Sequence, residues 1–386
     1  MRRFVFVCLL GAALCGPAAC REKTEKTVSH SDIIGPPVLD KSADQLTQTE
    51  FTAYLNHSIT PGKNLLWCAT MPLAWNELLD LADGEIHIAE GDPPLVTELG
   101  KSTVTNKDLD DSSYVALAGL TPNILEVISR ALATKFKGQA SPELLGQIPK
   151  LPDNSAVAYS YLFKDLEFES PFKTFEEGMR FHEEPEGTTI QNKAVFGFRD
   201  LRTESTAKAA DQVEIHDYRN RDDFVIEIST KSTGDRLLLA KIHSDSTLAQ
   251  TIQSVQARAD TSQGKPPESK TWMQVPILNF SLVKDYKELL SRHIRCSNET
   301  LNGQFFVMAR QSIRFKLNEA GAKLKSETVV AATWGGIVQG HEPPQLIFDK
   351  PFLILMERKG AAHPYFALWI DNSELLVPFT SEKTEQ

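Results

Sequence analysis

An α+β fold is predicted for this chain by three observations. Helix-type apolar spacing falls mainly in the first third of the body, and strand-type runs fill most of the middle and last third. No Pro/Gly-rich linker separates the two, so one large body is expected, with mostly antiparallel sheets and N-terminal helices.

The elements follow in order. Gln45 to Leu55 carries Leu46, Phe51 and Leu55 near helical spacing, and Thr60-Pro61-Gly62 then turns the chain. Leu65 to Leu81, with Trp67 and Trp75, reads as a buried helix. Residues 82–112 read as irregular, with an acidic cluster from Asp108 to Asp111. Asn123 to Phe136 places Ile124, Val127, Ile128 and Leu132 on one helical face. Ala156 to Phe163 is expected as a central strand, and Val195–Phe198, Gln212–Tyr218 and Phe224–Ile228 as shorter ones. A helix fits Thr247 to Arg258, a polar loop Thr261 to Lys270, a strand Trp272 to Phe280 and a helix Tyr286 to His293. The remaining expected strands are Phe305–Ala309, Ser312–Leu317, Leu346–Met356 and Tyr365–Phe379.

The ends and the composition bound the function. Arg2 and Arg3 precede a short apolar run, Phe4 to Leu14, and the small-residue close Cys15-Gly16-Pro17-Ala18-Ala19-Cys20. That is the pattern of an export signal over residues 1–20, and the run is too short to stay as a membrane span. Cys20 is a lipid-attachment residue if the chain is a bacterial lipoprotein, although Pro17 stands where such signals usually carry Leu. Plain secretion is the other reading. Residues 21–43 are polar and charged and read as a tether to the body, residues 44–381. The net charge of −10 disfavours non-specific nucleic-acid binding. Cys68 and Cys296 could pair in an oxidising compartment or stay as buried free thiols, the default. No Gly-x-Ser-x-Gly, phosphate loop or His-Glu-x-x-His is present. His87 reads as a surface residue, and His182-Glu183-Glu184 lacks a second His at metal spacing. Neither an enzyme activity nor a metal or cofactor is expected.

A set of ordered motifs then carries a family resemblance. Ile313 to Thr333 reads IRFKLNEAGAKLKSETVVAAT. It is followed by Phe348-Asp349-Lys350-Pro351-Phe352-Leu353 and by Pro364-Tyr365-Phe366. Upstream stand Asn64-Leu65-Leu66, then Tyr161-Leu162-Phe163-Lys164 with Pro171-Phe172 and Phe181. Val275-Pro276-Ile277-Leu278-Asn279-Phe280 precedes Tyr286-Lys287-Glu288-Leu289. In this order, over roughly residues 45–380, the motifs resemble the serpin superfamily. The resemblance implies a three-sheet, multi-helix, serpin-like fold in a bacterial exported monomer, with a reactive loop over about residues 319–347. It implies inhibition of an extracellular serine protease by loop cleavage and insertion of the loop into the main sheet. The serpin loop is a known case of strand addition and strain release. The alternative is a non-inhibitory serpin-like envelope protein, a binding module or a cleavage-triggered switch. Where the family carries Ser-Pro-x-Ser beneath the opening of that sheet, this chain has Cys68-Ala69-Thr70-Met71.

The resemblance assigns the hinge to Glu319, Gly321, Ala322, Leu324, Ser326 and Thr328. Strand alternation puts Ala322, Leu324, Ser326, Thr328 and Val330 on one face, small or apolar, opposite Lys323, Lys325 and Glu327. Leu324 is bulkier than the small residues that inhibitory members carry there. The bait residue lies among Trp334, Gly335, Ile337, Val338, Gln339, Gly340 and His341. No Arg or Lys occurs from Thr328 to Asp349, so a chymotrypsin- or elastase-like partner is expected over a trypsin-like one.

Overall fold

Three short strands come first: β1 (Leu39–Ser42), β2 (Thr49–Thr52) and β3 (Asn64–Cys68). They belong to a computed structural model that describes residues 37–137, 155–181, 191–199, 201, 203–323 and 343–380. Helix α1 (Thr70–Leu81) follows, then β4 (His87–Ile88), α2 (Pro94–Gly100), β5 (Tyr114–Leu120) and α3 (Asn123–Lys135). Next are β6 (Ala156–Leu162), β7 (Asp165–Glu167), β8 (Lys173–Thr174), β9 (Val195–Phe198) and α4 (Glu204–Ala210). Strands β10 (Val213–Asn220), β11 (Asp223–Ile228) and β12 (Asp235–Lys241) precede α5 (Leu248–Asp260). The rest is strand: β13 (Trp272–Pro276), β14 (Leu278–Asp285), β15 (Ile294–Arg295), β16 (Arg310–Asn318) and β17 (Gly321–Lys323). The last are β18 (Gln345–Ile347), β19 (Phe352–Arg358) and β20 (Phe366–Ile370).

The fold is α+β with mostly antiparallel sheets, as expected. A seven-stranded sheet runs β10-β11-β12-β19-β20-β3-β2, a five-stranded sheet β1-β14-β16-β17-β7 and a four-stranded sheet β18-β13-β9-β8. β5 pairs with β6, and β4 with β15. The principal core lies between the seven- and five-stranded sheets, where Phe315 of β16 stacks on Phe366 of β20 at 4.6 Å. Helix α3 lays Ile124, Ile128 and Leu132 on Val115, Val157 and Tyr159 of β5 and β6, forming a separate small cluster.

Several elements differ from the sequence expectation, each for a tertiary reason. Gln45–Leu55 is not a helix. Phe51 and Thr52 pair in parallel with Leu66 and Trp67, and Glu374 accepts the backbone N–H groups of Thr47 and Gln48. Leu65–Cys68 is a strand ahead of α1, not a helix turn. All its side chains are buried, and a continuous apolar run does not distinguish the two. Tyr286–His293 makes turns instead of a helix. Ser291 sits at φ +60 and its N–H goes to the Phe306 carbonyl. Phe305–Ala309 forms only isolated bridges, with Phe305 half exposed. Leu39–Ser42, counted in the polar tether, is a strand parallel to β14. β5, β12 and α2 were not anticipated. Cys68 and Cys296 are free thiols, and Cys296 is half-buried where two buried thiols were expected.

Candidate functional site

The five-stranded sheet is incomplete on one side of β16. Its other side pairs with β14 along eight residue pairs, Arg310 to Leu317. Among the described residues only β17 lies on the open side, joined to β16 by a hairpin through Glu319 and Ala320. β17 is a wedge, because its far edge pairs with β7: Gly321 with Glu167, Ala322 with Leu166 and Lys323 with Asp165. Below it the sheet parts into a cleft of about 150 Å³. Ala156–Ser160 of β6 form one wall and Gln304–Ser312 the other, with Trp75 and Leu78 of α1 as the floor. The Gln304 carboxamide oxygen accepts the Ala156 N–H at 3.3 Å, which bridges the lower end.

The described residues of the segment that the resemblance assigns to the hinge are held by identifiable contacts. Glu319 is buried and its carbonyl accepts the Phe172 N–H at 2.8 Å. The Ala320 carbonyl accepts from Phe168 N–H at 2.9 Å. Gly321 has φ +155, and a Cβ there would stand 2.5 Å from the Leu166 carbonyl oxygen. Only glycine lets β17 approach β7 so closely. Ala322 is fully buried, with Leu317 and Leu166 beside it on the inner face. The chain rejoins the body at β18, which runs parallel to β13, and Trp272 N–H donates to the Pro344 carbonyl at 3.3 Å. The other hinge residues (Leu324, Ser326 and Thr328) lie outside the described residues, as do Trp334, Gly335, Ile337, Val338, Gln339, Gly340, His341, Cys20 and His182.

A polar cluster sits under the cleft mouth. Tyr286 Oη donates to Gln311 Oε1 at 2.8 Å, and Gln311 Nε2 donates to Thr70 Oγ1 at 2.8 Å and to the Cys68 carbonyl at 3.3 Å. This group joins β16 to the start of α1 at the Cys68-Ala69-Thr70-Met71 segment. Burial pushes the Tyr286 hydroxyl and the Cys68 thiol up, so both stay protonated at neutral pH. A second buried group lies at the junction of β6 and β7. Lys164 Nζ is 2.9 Å from Asp235 Oδ1 and 5.4 Å from the centre of the Tyr365 ring. Sequence reasoning did not assign Gln311, Tyr286, Ser160 or Asp235 to the site. The available signal was a polar residue at an inward position: Gln311 heads the series Ile313, Phe315, Leu317. Among the described residues no group of three or more His, Cys, Asp or Glu is arranged to hold a metal ion. No described helix is long and apolar enough to cross a membrane.

No protein-family model and no curated protein matches the chain. Among solved structures it is similar to a highly specific serpin of the insect Tenebrio molitor, at 11% identity and TM-score 0.45, over 81% of this chain and 92% of that one. It is similar to human thyroxine-binding globulin in complex with thyroxine, at 14% identity and TM-score 0.45, over 80% and 92% of the two chains. It is also similar to a serpin from Schistosoma mansoni, at 12% identity and TM-score 0.35, over 64% and 63%.

Proposed function

We propose that the chain is a serpin-like inhibitor of an extracellular serine protease, acting by loop cleavage followed by insertion of the loop into the five-stranded sheet. One observation carries the reading: β17 is a hairpin arm already wedged between β16 and β7, in line with an open cleft below it. The protease serine attacks a carbonyl carbon of the loop and the peptide C–N bond breaks. The new amine leaves on the C-terminal fragment, and an ester joins the protease to the N-terminal side. That side then lengthens β17 downward. Continuing the present register sets residue 324 opposite Phe315 and Lys164, 326 opposite Ile313 and Leu162, and 328 opposite Gln311 and Ser160. Inward positions alternate with Ala322, so Leu324, Ser326 and Thr328 enter facing the core. Ser160 Oγ is buried without a hydrogen-bond partner among the described residues, and Thr328 would bring it one.

The bait residue lies within Trp334–His341, which favours proteases that take apolar or small residues. Export, with Cys20 as lipid-attachment residue, belongs to the same reading, and the mass of the mature N-terminus checks it. A second reading, a non-inhibitory binding protein, is favoured by a cavity of about 230 Å³ beside α5, lined by Tyr54, Trp67, Ile252, Gln256 and His363. The test mixes the body, residues 37–386, with chymotrypsin-like and elastase-like proteases on a denaturing gel. A stable band near the summed mass is expected. Cleavage between Trp334 and His341 without that band removes inhibition and leaves the binding reading.

A further inference from the structure

The cleft between β6 and the Gln304–Ser312 wall gathers apolar groups that are only partly buried. Met71 and Ala74 of α1, Ala156 and Ala158 of β6 and Phe306 all line it in this state. Phe305 and Val307 lie along the same wall, and they are two of the four large apolar side chains that stand exposed among the described residues. Apolar surface that converges on one concavity marks a ligand site, whereas single exposed side chains do not. Arg310 is the one charged residue among those lining the cleft, and Asp285 accepts from its guanidinium at 2.7 and 3.0 Å. The lining therefore carries no unbalanced charge for a ligand to meet.

The floor adds a specific polar group. Trp75 is 3% exposed, and its ring lies nearly parallel to that of Phe306, with centroids 6.3 Å apart. Its Nε1–H is buried and has no hydrogen-bond partner among the described residues. A buried donor left unpaired is costly, and an acceptor supplied by a ligand removes that cost. The cleft volume of about 150 Å³ matches an apolar cavity that holds one benzene-sized ring. Ala156 and Ala158 keep that space open, because a longer side chain on either would fill it.

We propose that the cleft is a binding site for a neutral one-ring aromatic molecule carrying a single hydrogen-bond acceptor. The ring lies between Phe306 and the alanines of β6, and the acceptor takes the Trp75 Nε1–H. The assignment stands on these walls and this floor alone and does not depend on the insertion reading.

The test titrates the full-length protein with acetophenone and with α-methylstyrene in a calorimeter. The two are alike in shape, and only the ketone has a carbonyl oxygen. Acetophenone should bind with a Kd below about 0.3 mM, and about tenfold more tightly than α-methylstyrene. Trp75→Phe keeps a ring beside Phe306 but lacks the donor, so the two ligands should bind it about equally. Ala158→Leu fills the space from the wall and should weaken both about tenfold or more. Equal affinity of the unaltered protein for the two ligands removes the Trp75 contact and overturns the proposal. Acetophenone binding that Ala158→Leu leaves unchanged also overturns it, because the ligand then sits elsewhere. So does an absence of binding up to about 3 mM acetophenone.

Discussion

The two large sheets share one core but are finished to different degrees. In the seven-stranded sheet every strand from β11 to β3 has a neighbour on both sides. Its central strands β19, β20 and β3 are buried almost throughout, and parting them would expose apolar faces and paired backbone together. In the five-stranded sheet β16 has a full-length neighbour on one side and, among the described residues, three paired residues on the other. Small inward residues line the far wall, Ala156 and Ala158 of β6. Those alanines pack against the cluster of Trp75 and Leu78, and the opposite face of β6, Val157 and Tyr159, packs with α3, so neither face joins the principal core. The same chain thus builds one sheet whose strands are paired throughout and one that, on the proposed reading, gains by accepting a strand. A molecule divided in this way can hold its shape while keeping a reaction in reserve.

The largest effect expected from this division comes at the contact between the sheets. Phe366→Ala removes a fully buried ring that stacks on Phe315. Leaving that space empty should cost about 3–5 kcal/mol of unfolding free energy, measured by chemical denaturation. A loss under about 1 kcal/mol would mean that the seven-stranded sheet is not the stable half.

A smaller effect is expected at the cleft. Gln311→Leu takes away the acceptor of Tyr286 Oη and the donor to Thr70 and Cys68, under the open sheet. The cost should be about 1–3 kcal/mol, since a buried phenol is left without its partner. On the insertion reading the position faces an entering residue 328, so annealing of a 321–333 peptide should change with it. Stability falling while peptide uptake stays fixed would separate this cluster from the cleft and weaken the contrast between the sheets.

How much of this was legible beforehand follows the same line. β16 lies where alternation put it, the short runs of β9 and β11 were placed although both faces are buried, and α3 and α5 follow their helical spacing. Two other elements buried on both faces were misread or missed. Leu65–Cys68 was merged into a helix, and Leu237-Leu238-Leu239-Ala240 of β12 was passed over, because an apolar run without alternation carries no period. The motif Glu319-Ala320-Gly321 was readable as a turn carrying a required glycine, and the close approach of β7 accounts for that glycine. The gap beside it was not, since a space between β6 and β16 depends on residues some 150 positions apart. Lys164 was visible only as part of a motif, and its partner Asp235 lies on a strand that no local pattern announced.

The smallest effect tests whether the complete sheet responds to pH through a group of its own. His216 on β10 lies 3.3 Å from Glu227 on β11, and Arg236 on β12 holds Glu227 at 3.0 Å and Glu357 at 3.1 Å. The hydrogen bond to Glu227 raises the His216 pKa from 6.5, against the opposing effect of burial. Burial also works against ionised Glu227, but His216 and Arg236 outweigh it and keep its carboxyl below the usual 4.5. A raised imidazole pKa contributes stability that is fully present below 6.5 and is lost as pH rises through the folded value. Unfolding free energy should therefore fall by under about 1 kcal/mol between pH 6 and pH 9, after allowance for solvent screening. The fall should be smaller in His216→Gln. Equal slopes in the two proteins would assign the dependence to the exposed pair His87–Asp92 at the edge of the α1 region, and the seven-stranded sheet would then be insensitive to pH in this range.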